Sequence, residues 1–183
     1  MKFYLLIASL LSLNIQAKLF KISESGELLK ENSEEWSCVL DQSTNLIWEI
    51  KSNLPGLRFK DNTYTWFDQK TGVENGEFSK NCNWQDSCNS KKYIAELKER
   101  NVCSQNNWRL PTEKELNSLI IYGDEEPLIN SRFFPNTKKG HYWSSTSFLE
   151  KPNLAIDVPF FYGGSRGSDK SFDSFLRAVS DAN

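Results

Sequence analysis

The strongest structural signal in this chain is Trp108-Arg109-Leu110-Pro111-Thr112-Glu113-Lys114-Glu115-Leu116. Thr112 and Glu115 have the spacing of a capping box, in which a hydroxyl and a carboxylate bond to the free N–H groups of a helix's first turn. Trp108 is expected in the core, and Pro111 restricts the backbone where the helix begins. Arg109 is expected to pair with a carboxylate or with backbone carbonyls. We therefore predict that the motif is structural rather than catalytic.

The helix that begins at Thr112 is predicted to run for about three turns. Leu116, Leu119 and Ile120 follow at spacings of three and four residues, which places them on one face. Gly123 is expected to end the helix, because glycine adopts the left-handed conformation of a helix C-terminus without steric cost.

The rest of the pattern predicts one more helix and several short strands. The helix is expected over residues 90–101, and the strands are expected at 36–40, 46–50, 142–147, 154–162 and 174–179, with a small hairpin within 18–29. Pro159 cannot donate a hydrogen bond in a sheet, so its strand is predicted to be an edge strand or to contain a bulge. Residues 163–170 are predicted to form an exposed, mobile hairpin tip, and residues 51–89 a long loop with a possible functional surface.

The N-terminus resembles an export signal. Lys2 precedes an almost unbroken apolar run, and residues 14–17 end in Ala17, a small residue suited to cleavage. We therefore predict a signal peptide over residues 1–17 and a single domain over 18–183. An uncleaved membrane anchor is the alternative, but the apolar run is shorter than the roughly 20 residues that span a bilayer.

The net charge of −2 gives no broad basic surface that would recruit nucleic acid.

Four cysteines in an exported chain favour two disulfides over metal binding or catalysis. Cys82 and Cys88 flank a short polar segment, which favours a local bond and leaves Cys38 to pair with Cys103. Four cysteines allow three pairings, and the sequence leaves the other two open. A zinc site is disfavoured, because there is no Cys-x-x-Cys pair and a single histidine, His141.

As an ordered set, several motifs resemble the Lcl C-terminal domain family, which is named for the terminal domain of a bacterial collagen-like adhesin. The matching stretches are Trp36 to Asp41, Thr44 to Glu49, Tyr64-Thr65-Trp66, Trp108 to Leu116, Phe134-Pro135 and Tyr142 to Thr146, which includes Trp143. The family's C-terminal pattern is matched only approximately by Phe161 to Gly164 and Leu176 to Val179.

This resemblance implies an α+β fold similar to formylglycine-generating enzymes and, more distantly, to C-type lectins. Such folds are rich in loops and place short helices on small antiparallel sheets. The adhesin's domain is associated with trimers that bind sulfated glycans, but this chain has no Gly-x-y collagen repeats, so its oligomeric state stays open. No cysteine follows Cys103, which disfavours the chemistry of formylglycine-generating enzymes.

The candidate ligand residues are cationic and aromatic side chains of the C-terminal loops. For a sulfated glycan we select Lys138, Lys139, His141, Tyr162, Arg166 and Lys170. Solvated surface charge is the alternative explanation of these residues. A calcium site would draw on Asp157, Asp169, Asp173 and Asp181, although no EF-hand spacing is present and we predict no cofactor.

Enzymatic activity has little support in the sequence. A nucleophilic triad would need His141 beside Ser144, Ser145 or Ser147, and those serines lack a Gly-x-Ser-x-Gly turn. We therefore predict an exported, non-catalytic binding module in the periplasm or at the cell surface, with a glycan as its partner. The alternatives are an envelope assembly protein that binds a protein partner through residues 51–89, and a divergent enzyme that uses His141.

Overall fold

The structure, a computed structural model, describes residues 18–76, 79, 82 and 88–182. The predicted signal peptide lies outside these residues. Two helices, α1 and α2, and seven strands, β1 to β7, are present in this part of the chain. In chain order they are β1 (Leu19–Ile22), β2 (Cys38–Asp41), β3 (Leu46–Glu49), α1 (Ser90–Glu99), a 3-10 turn (Val102–Ser104), α2 (Glu113–Ser118), β4 (His141–Ser147), β5 (Leu154–Pro159), β6 (Arg166–Asp169) and β7 (Val179–Asp181).

The strands form two small antiparallel sheets, so the predicted α+β class is confirmed. The first sheet has the order β1-β2-β3-β7, and the second has the order β4-β5-β6. The two strands predicted at 36–40 and 46–50 are β2 and β3, which form a hairpin with Cys38 opposite Glu49 and Asp41 opposite Leu46. β7 returns from the C-terminal end to pair with β3. The first sheet therefore contains strands from both ends of the described chain, with β1 at one edge and β7 at the other.

Tryptophan and tyrosine side chains fill two adjoining cores. One core contains the Cys38–Cys103 disulfide, Tyr64, Trp66, Tyr93, Trp108 and Trp143. The other lies between the sheets and α2, and contains Trp48, Leu116, Phe134, Tyr142 and Phe160. Trp108 and Trp143 are completely buried, as their place in the sequence motif predicts. Large aromatic side chains bury much apolar area each, which suits a domain with so little regular secondary structure.

The capping box at the start of α2 is confirmed. The Thr112 hydroxyl accepts a hydrogen bond from the Glu115 N–H at 3.2 Å, and the Glu115 carboxylate accepts one from the Thr112 N–H at 2.7 Å. Such a cap contributes about 1 kcal/mol. Because both hydrogen bonds span only three residues, local sequence is sufficient to specify them.

The predicted length of α2 and the role of Gly123 are wrong. The helix ends at Ser118, whose hydroxyl donates to the Glu115 carbonyl. Side-chain bonds of this kind compete with the backbone ladder of a helix. The Ile121 N–H donates to the Leu128 carbonyl instead of continuing the helix. Gly123 has no left-handed backbone and lies beyond this exit.

Two predictions about the C-terminal strands are also wrong. β5 is the central strand of its sheet, not an edge strand, and the irregular register lies between Trp143 and Ser147 of β4. Pro159 is tolerated because it is the last residue of β5 and β6 pairs only as far as Asp157. The final strand begins at Val179 rather than at Ser174, which makes an isolated bridge to Tyr64.

The disulfides are Cys38–Cys103 and Cys82–Cys88, the pairing that the sequence favours. The first joins β2 to the segment that follows α1 and lies in the core. The second closes a short segment immediately before α1. The long bond therefore connects two parts of the domain, whereas the short one acts locally.

A buried ion pair lies between the first sheet and α1. Lys51 Nζ is 2.9 Å from Glu49 Oε1 and donates to the Tyr93 hydroxyl at 2.8 Å. Arg177 donates to the Glu49 backbone carbonyl at 2.7 Å, and the Glu49 carboxylate accepts from the Ala178 N–H. Burial lowers the pKa of Lys51 to about 8, although Glu49 acts in the opposite direction. Burial also raises the pKa of Tyr93 well above its ordinary value.

Candidate functional site

A buried aspartate organises one face of the second sheet. Asp157, on β5, lies opposite Trp143 of β4 and opposite Arg166 of β6. Its carboxylate is 2.9 Å from His141 Nδ1, 3.0 Å from an Arg166 guanidinium nitrogen and 2.5 Å from the Ser168 hydroxyl. A buried carboxylate needs such partners, because desolvation of an unpaired charge is costly. We call Asp157, His141, Arg166 and Ser168 the Asp157 cluster.

Aromatic rings lie beside the Asp157 cluster at the surface. The Phe161 ring meets the His141 ring edge-on at 5.2 Å and the Tyr162 ring at 4.6 Å, and the Tyr162 ring is 6.5 Å from His141. Tyr162 is 55% exposed, so its ring is available to a ligand. The cluster therefore has an aromatic surface at its edge.

Tyr122 extends this aromatic surface from the segment that follows α2. Its ring lies against Gly163, where an added Cβ would be 2.7 Å from the ring. Gly163 also has a φ of +75°, so glycine is required there for two reasons. Tyr122 is 72% exposed. Sequence reasoning missed Tyr122 and Phe161, and the pair Gly163-Gly164 after two aromatic residues was the available signal.

Two of the three candidate serines of β4, Ser144 and Ser147, direct their hydroxyls to β5 rather than to His141. The Ser144 hydroxyl donates to the Ile156 carbonyl, and the Ser147 hydroxyl donates to the Leu154 carbonyl. Both therefore serve the pairing of β4 with β5. Within the described residues, no side chain is hydrogen-bonded to the second ring nitrogen of His141, Nε2.

The predicted cationic residues do not form one unpaired patch. His141, Tyr162 and Arg166 are brought together, but Arg166 and His141 share the Asp157 carboxylate. Lys138 pairs with Asp61 at 2.7 Å, and Lys139 pairs with Glu126. A sulfate group would therefore compete with a protein carboxylate at each of these cations.

Lys170 is a correction to the predicted ligand set. Residues 166–169 form β6 rather than a loose hairpin tip, and Lys170 follows this strand with only 2% of its surface exposed. Its ammonium lies 3.9 Å from the Trp66 ring centroid and donates to Thr71 and to the Pro152 carbonyl, both at 2.7 Å. Lys170 therefore holds loops together and cannot meet a surface ligand, and burial lowers its pKa.

The four aspartates considered for calcium are separated and engaged in different contacts. Asp157 belongs to its cluster, and Asp169 accepts from the backbone and hydroxyl of Ser171. Asp173 accepts from the Thr63 hydroxyl, and Asp181 pairs with Arg109. In the part of the chain that the structure describes, no group of three or more His, Cys, Asp or Glu side chains is arranged for a metal.

The chain matches the model of the Lcl C-terminal domain over residues 37–180. It belongs to the Lcl C-terminal domain family. Searches of curated proteins and of solved structures give no match. Membership in the Lcl C-terminal domain family suggests a secreted, surface-associated domain but shows no location directly. Two disulfides are compatible with export. In the described residues, every helix is too short and too polar to cross a bilayer.

In this Lcl C-terminal domain, the Trp108 to Leu116 motif is an anchor for the C-terminus. The Arg109 guanidinium makes two hydrogen bonds of 2.8 Å to Glu115 and one of 2.9 Å to Asp181 of β7. The hydrogen bond with Glu115 raises the pKa of Arg109. Burial acts against ionisation of Glu115, but its hydrogen bonds with Arg109 and Thr112 leave its pKa below the ordinary value. Pro111 donates no hydrogen bond, and its carbonyl accepts from Ser145.

The Lcl C-terminal domain also has a cleft that sequence reasoning missed. Its volume, about 820 Å³, is within the roughly 300–1,000 Å³ of small-molecule sites. Residues 51–54 of the predicted loop line this cleft together with Trp36. Both cations that line this cleft are paired with carboxylates. Arg58 pairs with Glu24 at 2.8 Å, and the Lys51 ammonium pairs with Glu49 at 2.9 Å. The remaining lining residues are Ser23, Leu29, Glu34, Glu35, Ser37, Ile50, Pro135 and Asn136.

Proposed function

We propose that this domain is an exported, non-catalytic module that binds a glycan at the bacterial surface. The observation that supports this function is the exposed aromatic surface of Tyr162 and Tyr122 beside the Asp157 cluster. Aromatic side chains provide apolar faces for sugar rings, and oriented polar groups next to them select hydroxyl or charged substituents. The proposal needs no cofactor, no nucleic acid and no membrane insertion of the mature chain.

The rigidity of the site supports recognition rather than reaction. Asp157 holds His141 and Arg166 in place, and β4, β5 and β6 carry all members of the Asp157 cluster. Groups held on strands lose little conformational entropy when a ligand binds. The fixed nitrogen of His141 could also serve an enzyme, but the hydroxyls of Ser144 and Ser147 are engaged in sheet contacts.

A glycan array with the refolded mature chain tests this proposal. We expect binding to at least one glycan, and an affinity loss of about tenfold for Tyr162→Ala, because a stacked ring contributes on the order of 1 kcal/mol or more. Phe172→Ala is the matched control, since Phe172 is 58% exposed but follows the other end of β6. An array without any bound glycan, sulfated glycans included, would overturn the proposal. Equal losses of affinity for Tyr162→Ala and Phe172→Ala would show that the binding site does not include Tyr162.

The cleft favours a second candidate function, an envelope assembly protein with a protein partner. Leu54 lines this cleft and is 75% exposed, so it offers apolar surface that a protein partner could cover. In this case residues 51–58, within the predicted loop, would contact the partner.

Capture from an envelope extract, with variants, tests the second candidate. The native chain should retain one dominant protein, and Leu54→Arg should lose it, because a charge would have to be desolvated in the contact. Leu149→Arg is the control, since Leu149 is 100% exposed in the turn between β4 and β5. Retention of the same protein by Leu54→Arg would exclude the cleft as the docking surface.

A further inference from the structure

The hydrogen bond between Asp157 and His141 determines what His141 offers to a ligand. An ionised carboxylate can only accept hydrogen bonds, so the contact of 2.9 Å requires the proton on Nδ1. In the neutral imidazole the other nitrogen, Nε2, then has a free lone pair and accepts. Asp157 also accepts from Arg166 and from Ser168, so three side chains donate to this one carboxylate.

The accepting nitrogen of His141 is accessible from the surface. Among the described residues it has no hydrogen-bond partner, and it is not one of the buried polar atoms that lack one. The His141 side chain is 25% exposed. Tyr162, which is more exposed still, lies beside the same ring. A ligand that stacks on Tyr162 can therefore reach His141.

Arg166 offers the opposite hydrogen-bonding character next to this acceptor. One of its nitrogens is bound to Asp157, and the side chain is 46% exposed, so the remaining N–H groups face solvent. The charge of Arg166 is offset by Asp157. With a neutral His141, the Asp157 cluster therefore combines one acceptor and several donors with no net charge.

We propose that the Asp157 cluster and Tyr162 bind a pair of uncharged hydroxyl groups on a neutral sugar. This inference rests on the proposed function and names its ligand class. One hydroxyl donates to His141 Nε2, and its neighbour accepts from Arg166, while the sugar ring stacks on Tyr162. A sulfate group has only acceptor oxygens, so it cannot satisfy His141, and it meets no uncompensated cation in the cluster.

The test is an array on which each oligosaccharide is printed in unsulfated and sulfated form, in a buffer near pH 8. We expect binding to unsulfated spots that changes less than about twofold between roughly 50 mM and 500 mM sodium chloride, because screening affects charged contacts most. His141→Ala should weaken this binding about tenfold, as expected for loss of one good hydrogen bond in a desolvated site.

Asp157→Asn is the sharper variant. The asparagine amide can donate to Nδ1, which moves the imidazole proton to Nε2 and converts the acceptor into a donor. We expect about tenfold weaker binding to unsulfated glycans and a shift of preference toward the sulfated forms. If the variant does not fold, His141→Ala and the salt series still decide the question.

The outcomes separate this inference from the proposed function. Salt-sensitive binding to sulfated spots alone by the native chain would overturn the inference and leave glycan binding intact. Binding to unsulfated spots that His141→Ala leaves unchanged would likewise overturn it. No binding to any spot would overturn both.

Discussion

Removing the disulfide Cys38–Cys103 should destabilise the domain by about 4 kcal/mol. The bond joins residues separated by 65 positions, and its loss returns the corresponding loop entropy to the unfolded chain. Both cysteines are completely buried, so Cys38→Ala/Cys103→Ala also removes packed sulfur atoms from the core. Chemical denaturation followed by tryptophan fluorescence would measure the change in the free energy of unfolding.

The short disulfide provides an internal comparison for this prediction. Cys82 and Cys88 are separated by six positions, for which the same entropy model gives about 2 kcal/mol. Cys82→Ala/Cys88→Ala should therefore be the more stable of the two double variants. The reverse order would show that residual structure or strain, not loop length, determines the contribution of each bond.

Glu49→Gln should lower the free energy of unfolding by about 3 kcal/mol near pH 7. Glutamine keeps an oxygen for the Ala178 N–H, but it leaves the ammonium of Lys51 buried without a counter-charge. Breaking one side of a buried ion pair costs this much because the other charge stays desolvated. Glu49→Gln/Lys51→Met removes both charges and should recover most of the stability. A double variant no more stable than Glu49→Gln would contradict this explanation.

The same ion pair predicts a pH dependence of the native chain. The pKa of Lys51 is about 8 in the folded state, whereas an exposed lysine has a pKa of 10.5. Between these values the unfolded chain binds more protons, so stability gains from this group as pH rises, by up to about 1.4 kcal/mol per pH unit. Tyr93 acts in the opposite direction above pH 10, because its pKa is raised in the folded state. We therefore expect a maximum near pH 10, and Lys51→Met should remove the rise below it.

Elements specified by local contacts could be predicted from the sequence. The capping box joins Thr112 to Glu115, the hairpin of β2 and β3 spans a four-residue loop, and α1 (Ser90–Glu99) lies within the predicted range 90–101. These hydrogen bonds and side-chain pairs lie within a few residues of each other. The pairing of cysteines also agreed, because the short segment between Cys82 and Cys88 favours local closure.

The candidate site could be predicted only in part. His141, Tyr162 and Arg166 were selected from their residue types, and the structure brings them together. Lys170 was selected on the same grounds but is buried against Trp66, a residue more than one hundred positions away. Residue type alone does not distinguish a cation that faces a ligand from one that holds two loops together.

The amino-acid sequence by itself determined the family, the α+β class, the capped start of α2 and the preferred disulfide pairing. Tertiary structure decided that β5 is central and that Asp157 lies opposite Arg166, within reach of His141. It also decided that α2 ends where Ile121 bonds to Leu128. The physical reason is how far apart in the sequence the interacting residues are. Caps and turns depend on neighbouring residues, whereas strand order and register depend on which distant apolar faces are buried together.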